Sequence, residues 1–395
     1  MRMEPKRFST KDLHTGRMVY FFFFSGFGIL MTFLNVYYRS RGISGLQIGT
    51  LTAAFPLVGM IFAPLWGYLN DRLGNPKVIL ALATTGTLGS LVGMNAASSF
   101  VQLLGAVGVL GAFYSMLMPV VDVVNLKLLE GQRERYGEQR IWGSLGFIFT
   151  TLSTGWLFER FGLHTMFAVC GAAFLGMLVG VLRLPAGLRT ERRGSSGGLR
   201  LLVTNPAWMI FTVGQFILSI SSTGMNHFLG VYMRELGAGE SLVGMAVGIG
   251  AVSELPVMRF SQFFLKRLGA PRMLLLACGA YALRFVLYSW MPSAEWALLV
   301  GLLNGLTFGM FWVSAVVYIN TIAPPEYQTT AQSLVTSVVS LATVSGAPLS
   351  GWVFDHWGGS TLYGLYIVLA LTAGGVLAWG VRRTGLGKTH SERTA

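Results

Sequence analysis

Twelve separate stretches of this chain are apolar for long enough to cross a lipid bilayer. They are residues 18–38, 46–69, 78–95, 101–126, 141–158, 166–182, 208–233, 242–265, 273–290, 296–322, 333–354 and 362–381. A helix needs about 20 residues to span the hydrocarbon core. No packing in water accommodates this many runs. Only 11% of the 395 residues are charged and 53% are hydrophobic, whereas soluble domains carry roughly 25% charged residues. The solvent of this chain is therefore largely lipid, and the fold class predicted is an all-α membrane protein of twelve transmembrane helices. The 51 glycines suit such a bundle, because small residues let helix backbones approach in lipid. Cys170 and Cys278 lie inside apolar runs and suggest neither a disulfide framework nor a metal cluster.

The net charge of +13 sits in the loops and on one side. Counted along the twelve runs, 23 Lys and Arg fall on one face and four on the other, namely Arg39, Arg41, Arg160 and Arg234. That asymmetry marks the cytoplasmic side and puts both termini there. A basic balance of this kind needs no nucleic acid to explain it. The first apolar run carries no small-residue cleavage site and continues at spanning length, so no cleaved signal peptide is expected.

Residues 183–205 contain Pro185, Gly187, Ser195, Ser196, Gly197, Gly198 and several Arg, a composition suited to an exposed linker. It separates two related halves, 1–182 and 206–395. Phe33-Leu34-x-Val36-Tyr37-x-Arg39-x-x-Gly42 matches Phe228-Leu229-x-Val231-Tyr232-x-Arg234-x-x-Gly237 at an offset of 195. At the same offset Arg72-Leu73-Gly74-x-Pro76-Lys77 matches Arg267-Leu268-Gly269-x-Pro271-Arg272. Gly155-Trp156-Leu157-Phe158-Glu159 matches Gly351-Trp352-Val353-Phe354-Asp355 at 196. Six helices were duplicated in the same orientation. Parallel repeats of this kind build transporters that work by alternating access around a site near the bilayer midplane.

The segment Gly67-Tyr-Leu-Asn70-Asp71-Arg72-Leu-Gly74-Asn75-Pro76-Lys77, following a second spanning run, resembles the loop 2–3 signature of the major facilitator superfamily, with Asn75 where a basic residue is usual. Tyr136-Gly137-x-x-Arg140-x-Trp142-Gly143-Ser144-x-Gly146-Phe147, Glu254-Leu-Pro256-Val-Met258 and Leu303-Asn304-Gly305-Leu306-Thr307-Phe308-Gly309 resemble its phenylpropionate permease-like and nucleoside–proton symporter-like branch, related to lactose permease. The resemblance spans essentially the whole chain. It implies the 6+6 major facilitator fold, two six-helix bundles, and proton-coupled uptake of a small solute. Asn304 stands where members of the branch often carry histidine.

Ionisable groups at membrane depth are costly and usually functional. Glu254 lies 12 residues before Lys266, and Arg284 12 residues after Arg272. Each is therefore about 18 Å from the same membrane face, at 1.5 Å per residue. The two runs are sequential and antiparallel, so a Glu254–Arg284 pair is predicted. Burial favours the neutral carboxyl and a nearby cation the charged one, which makes such a pair a proton switch. A permanent ion pair that only fixes packing is the alternative. Pro256 marks a bend. Arg259 is closer to the surface and snorkels. Asp122 lies 5 residues before Lys127, near the cytoplasmic edge, and Arg140 opens the next run on the same side; a pair between them is one reading, and an interfacial anchor the other. Resemblance to lactose permease implies a coupling, gating or substrate role for them.

Gly67, Asp71 and Arg72 are expected to act in gating. The family's cavity is lined by the first, fourth, seventh and tenth helices, which implies a substrate role for Asn35, Tyr114, Gln215, Asn226, Asn304 and Trp312, with Trp142 opening the fifth. Asn125 and Asn320 belong to the same group. There is no zinc motif, nucleophile elbow or nucleotide-binding domain. Catalytic residues, metals and cofactors are accordingly not expected, and the chain is not read as an enzyme. The partners expected are a small solute, protons and membrane lipids around a monomer in a cell inner membrane, without nucleic acid. Two other readings stay open: a proton-coupled exporter of amphiphilic compounds or drugs, and a non-transporting sensor or scaffold.

Overall fold

In the computed structural model, residues 8–129, 132, 135–185, 188, 202, 204–324 and 327–384 are described, the side chains of Asp71 and Thr329 excepted. Most of the linker and the side chain of Asp71 thus lie outside the described residues. Those that are described form helices and no strand. The helices are α1 (Thr10–Ser40), α2 (Gly45–Leu73), α3 (Pro76–Ala96), α4 (Phe100–Tyr114), α5 (Leu117–Leu128), α6 (Tyr136–Phe161), α7 (Met166–Leu182), α8 (Pro206–Glu235), α9 (Glu240–Arg259), α10 (Ser261–Leu268), α11 (Ala270–Ser289), α12 (Trp296–Gly301), α13 (Met310–Ile322) and α14 (Gln328–Thr384).

Among the described residues eleven stretches are long and apolar enough to span a membrane, and the last of them covers 54 residues, Thr330–Arg383. Gly358, at φ +74°, breaks α14 inside that stretch. The break restores the twelve runs read from the sequence. Three of the runs are less regular than expected. The fourth divides into α4 and α5 at Ser115. The eighth stops at Arg259 and resumes as α10, with Phe260 N–H still donating to the Pro256 carbonyl at 2.9 Å. The tenth carries a π-helical turn, Gly305–Gly309, between α12 and α13. Turns of that kind are rare and frequently mark functional sites.

Two compact units divide the chain. The first comprises residues 1–43, 51–193 and 239–248, the second 44–50, 194–238 and 249–395. In the first, α1 packs on α6 and α7, and α3 on α4 and α7. Tyr20, Phe33 and Phe174 lie fully buried there. In the second, α14 packs on α8 and α11, around Phe228, Phe285, Tyr363 and Tyr366.

The duplication is written into the backbone. Among the described residues the six with positive φ are all glycines, and they pair at the repeat offsets: Gly42 with Gly237, Gly74 with Gly269, Gly162 with Gly358. A left-handed residue past a helix end suits glycine, which carries no Cβ. The first pair terminates α1 and α8 in the same way. Ile43 N–H donates to Tyr38 O at 3.1 Å, and Ala238 N–H to Met233 O at 2.9 Å. Asn75 caps α3 by accepting from Lys77 N–H at 3.1 Å. The Lys77 ammonium donates to the carbonyls of Leu182 (2.7 Å) and Leu184 (2.9 Å) at the end of α7.

The repeat-related acids Glu159 and Asp355 act alike. Within the second unit the Asp355 carboxylate accepts from the first amides of α2, Gly45 at 2.7 Å and Leu46 at 2.9 Å. Within the first unit Glu159 accepts from the Ser241 hydroxyl in the first turn of α9. Both place negative charge where helix amides are unsatisfied. Asp355→Ala is expected to cost about 0.5–2 kcal/mol, the value of a lost N-cap. Thermal melting of the purified protein reads it, and an unchanged midpoint removes the capping role.

Candidate functional site

Glu254 on α9 and Arg284 on α11 do occupy the same region of the second unit, but they do not form the direct ion pair expected. Asn304 stands between them. Its side-chain amide donates to Glu254 Oε1 at 2.5 Å, and its Oδ1 accepts from Arg284 Nη1 at 2.5 Å. The same amide also donates to Gly250 O at 3.3 Å. The carboxyl and the guanidinium are thus joined by one two-ended group that donates to the acid and accepts from the base.

Local sequence explains the placement. Asn304 immediately precedes the π-helical turn, and the Gly305 N–H donates to Ser253 Oγ of α9 at 3.0 Å. A Cβ at Gly305 would collide with the Ser253 carbonyl oxygen. Glycine there lets the tenth run come against α9 and bring Asn304 to Glu254. Arg284 is 4% exposed. Its Nη1 also donates to Thr307 Oγ1 at 3.0 Å and its Nη2 to Tyr288 Oη at 3.2 Å. Its Nε is buried with no hydrogen-bond partner. Among the described residues no carboxylate lies within 4.0 Å of this guanidinium. A buried cation so held keeps residual bonding capacity and charge.

A second polar cluster lies in the first unit, and here too the expected partner is different. Asp122 on α5 accepts from two phenols, Tyr20 of α1 at 2.6 Å and Tyr136 of α6 at 3.1 Å, and the two hydroxyls are 3.1 Å apart. Arg140 forms no ion pair with Asp122. Its guanidinium lies over the Phe24 ring, 4.1 Å from the centroid, and 5.8 Å from that of Tyr20. The reason is Gly143: a Cβ there would sit 2.6 Å from Phe24 and 2.9 Å from Arg140 Nη1. Its absence opens the slot in which ring and guanidinium stack. A side-chain hydrogen bond contributes about 0.5–1.5 kcal/mol. Tyr20→Phe keeps the ring and removes only the hydroxyl that donates to Asp122 at 2.6 Å, so it is expected to lower stability by that order. Thermal melting of the purified variant tests it, and an unchanged midpoint removes the structural role of the bond.

The other residues singled out in the sequence do not join either cluster. Asn35 accepts from Thr52 Oγ1 at 3.4 Å. Tyr114 is packed among Phe23, Phe55 and Phe174, with its hydroxyl unpartnered. Gln215 donates to Ser219 Oγ at 3.0 Å, and Asn125 to the Val121 carbonyl. Asn226 is exposed. Trp312 stacks on Phe308 at the surface. Trp142 lines a groove with His14 and Arg17 at the start of α1. Gly67 and Arg72 sit in the last two turns of α2, with Arg72 exposed. Tyr20, Ser253, Thr307 and Tyr288 were not singled out. Thr307 and Tyr136 do fall inside the motif segments Leu303–Gly309 and Tyr136–Phe147, which is the one signal pointing to them.

Twelve spanning runs built from a duplicated six, with half-buried polar clusters in both units, define a membrane transporter. The chain belongs to the MFS_1 like family, whose profile matches residues 15–365. It is 28% identical over 368 residues to the uncharacterized transporter YwbF of Bacillus subtilis (strain 168), covering 90% of each chain. To the maltose permease of Geobacillus stearothermophilus it is 29% identical, covering 86% of this chain and 87% of the permease. Among solved structures, that of the nucleoside transporter NupG superposes with a TM-score of 0.83 at 17% identity, over 94% of this chain and 99% of that one. The likeness in structure is one of fold.

Proposed function

We propose that this transporter is a proton-coupled symporter of a small organic solute and that Glu254 carries the proton. The observation that carries the reading is the Glu254–Asn304–Arg284 chain. A carboxyl in a membrane helix, linked to a buried cation through a single amide, has two states of comparable cost. Ionised, it balances Arg284 through Asn304. Neutral, it leaves the guanidinium available to a polar group of the solute. Binding of proton and solute thereby favour one another, which is the thermodynamic requirement for coupling. The relatives' names point to a sugar in one case and a nucleoside in another, so they do not settle the solute.

The halves 1–182 and 206–395, joined by 183–205, are the two repeats that alternate access. Gly67, Asp71 and Arg72 belong to the gating region, and Asp122, with Tyr20, Tyr136 and Arg140, is a second polar station for solute or proton. Both termini lie in the cytoplasm, the membrane is a cell inner membrane, and the working unit is a monomer.

The test is electrophysiology on a solid-supported membrane carrying reconstituted protein, with disaccharides, nucleosides, aromatic acids and cationic amphiphiles applied in turn. A neutral solute that evokes inward positive charge movement, lost in Glu254→Gln, supports symport and names the class. Solute-evoked current of the same size in wild type and Glu254→Gln assigns the proton elsewhere.

A further inference from the structure

At the start of α1, in the first unit, a cavity of about 270 Å³ is lined by His14, Arg17, Met18, Phe21, Phe22 and Trp142. Its lining is split by chemistry. His14 and Arg17 lie at its mouth, within the first eight residues of α1, so no more than about 11 Å along the helix from its first residue. Phe21 and Phe22 lie one turn deeper. Behind the rings α1 packs closely on both neighbours: a Cβ at Gly146 of α6 would meet the Phe21 backbone, and one at Gly176 of α7 would lie 2.7 Å from the Phe22 ring. The groove therefore runs along α1, with Trp142 of α6 at its side. From Trp142 it continues onto the exposed apolar residues Leu145 and Phe149 of α6.

Arg17 is undercompensated. Among the described residues its acid partner is Glu138, which is held by Arg135 at 2.9 and 3.1 Å and stands 3.9 Å from Arg17 Nη2. The Arg17 Nε is buried with no hydrogen-bond partner. A cation with a single long ion pair at the rim, an apolar aromatic floor, and an indole at the boundary match one kind of molecule in a membrane. That molecule has an anionic head and a hydrocarbon tail.

We infer that this groove is a binding site for one anionic phospholipid, its phosphate on Arg17 and His14 and one acyl chain along Phe21, Phe22 and the α6 face. The inference rests on the membrane setting and not on proton coupling, so failure of either leaves the other standing. Charge complementarity selects the head, and the apolar continuation onto α6 selects a lipid over a free phosphate.

Native mass spectrometry of the full chain, released from micelles containing phosphatidylglycerol or phosphatidylcholine, tests it. Wild type is expected to retain one phosphatidylglycerol in preference to phosphatidylcholine. Arg17→Gln is expected to lower that retention about fivefold, the effect of one basic residue at an anionic lipid head. His14→Gln, at an exposed position that tolerates substitution, is expected to lower it in the same direction, and it serves if Arg17→Gln does not fold. Equal retention of the two lipids by wild type overturns the proposal, as does unchanged retention in the folded variants. Displacement of the lipid by soluble glycerol phosphate overturns it too, because the site is then one for a free anion.

Discussion

Glu254→Gln is expected to abolish proton-driven accumulation of the solute while leaving exchange of preloaded solute largely intact. The substitution keeps the shape of the side chain and an oxygen able to accept from Asn304, which in the native protein donates to Glu254 Oε1. What it removes is the group that ionises. For one proton per solute, each unit of pH gradient supports up to about tenfold accumulation, since a tenfold ratio is 1.4 kcal/mol. In the variant the ratio falls to about one at any gradient. Exchange needs no net proton movement, because the carrier returns loaded, so it proceeds with the amide in place of the acid. Measuring both in the same vesicles separates the roles. If accumulation and exchange disappear together, Glu254 is structural, and if accumulation persists, the proton travels on another group.

The spanning runs, the duplication and the depth of Glu254 and Arg284 were legible in the sequence because each is written in a repeated or additive signal. Hydropathy sums over 20 residues. The repeat recurs at 195, and the three glycine pairs at φ above zero show the backbone obeying it. Depth follows from counting residues to the Lys or Arg of the flanking loop. What was not legible depends on rotation about a helix axis. Asn304 read as one cavity-lining residue among several; its place between acid and base is set by a local change of helical pitch at Gly305–Gly309. Asp122 and Arg140 share a membrane face but not a hydrogen bond, because Gly143 admits Phe24 beneath the guanidinium. The third repeat match contained Glu159 and Asp355, yet nothing in a one-dimensional match says that an acid at one helix end accepts from the first turn of another.

The Asn304 bridge makes a prediction of its own. If acid and base communicate through the amide, a double-mutant cycle on Glu254→Gln and Arg284→Met shows a coupling energy. Replacing Asn304 by Leu then removes most of it. Each single change leaves one end of the bridge without its counterpart: the buried Arg284, 4% exposed, in one case and the half-buried Glu254 in the other. Because the two meet only through Asn304, the cost stays below the roughly 3–5 kcal/mol of breaking a direct buried pair. The double variant removes both charges and is expected to recover part of that cost, giving a coupling of about 1–3 kcal/mol between the two sites. In the Asn304→Leu background there is no group to accept from Arg284 Nη1 and donate to Glu254 Oε1. The coupling should then fall below about half its native value, leaving only the Coulomb term acting through the protein. Unfolding in mixed micelles, titrated with a denaturing detergent, supplies the eight stabilities. A coupling unchanged by Asn304→Leu means that acid and base act on one another directly and that the amide is incidental. No coupling in either background means that Glu254 titrates without regard to Arg284, and the cation then has no part in the exchange of proton for solute.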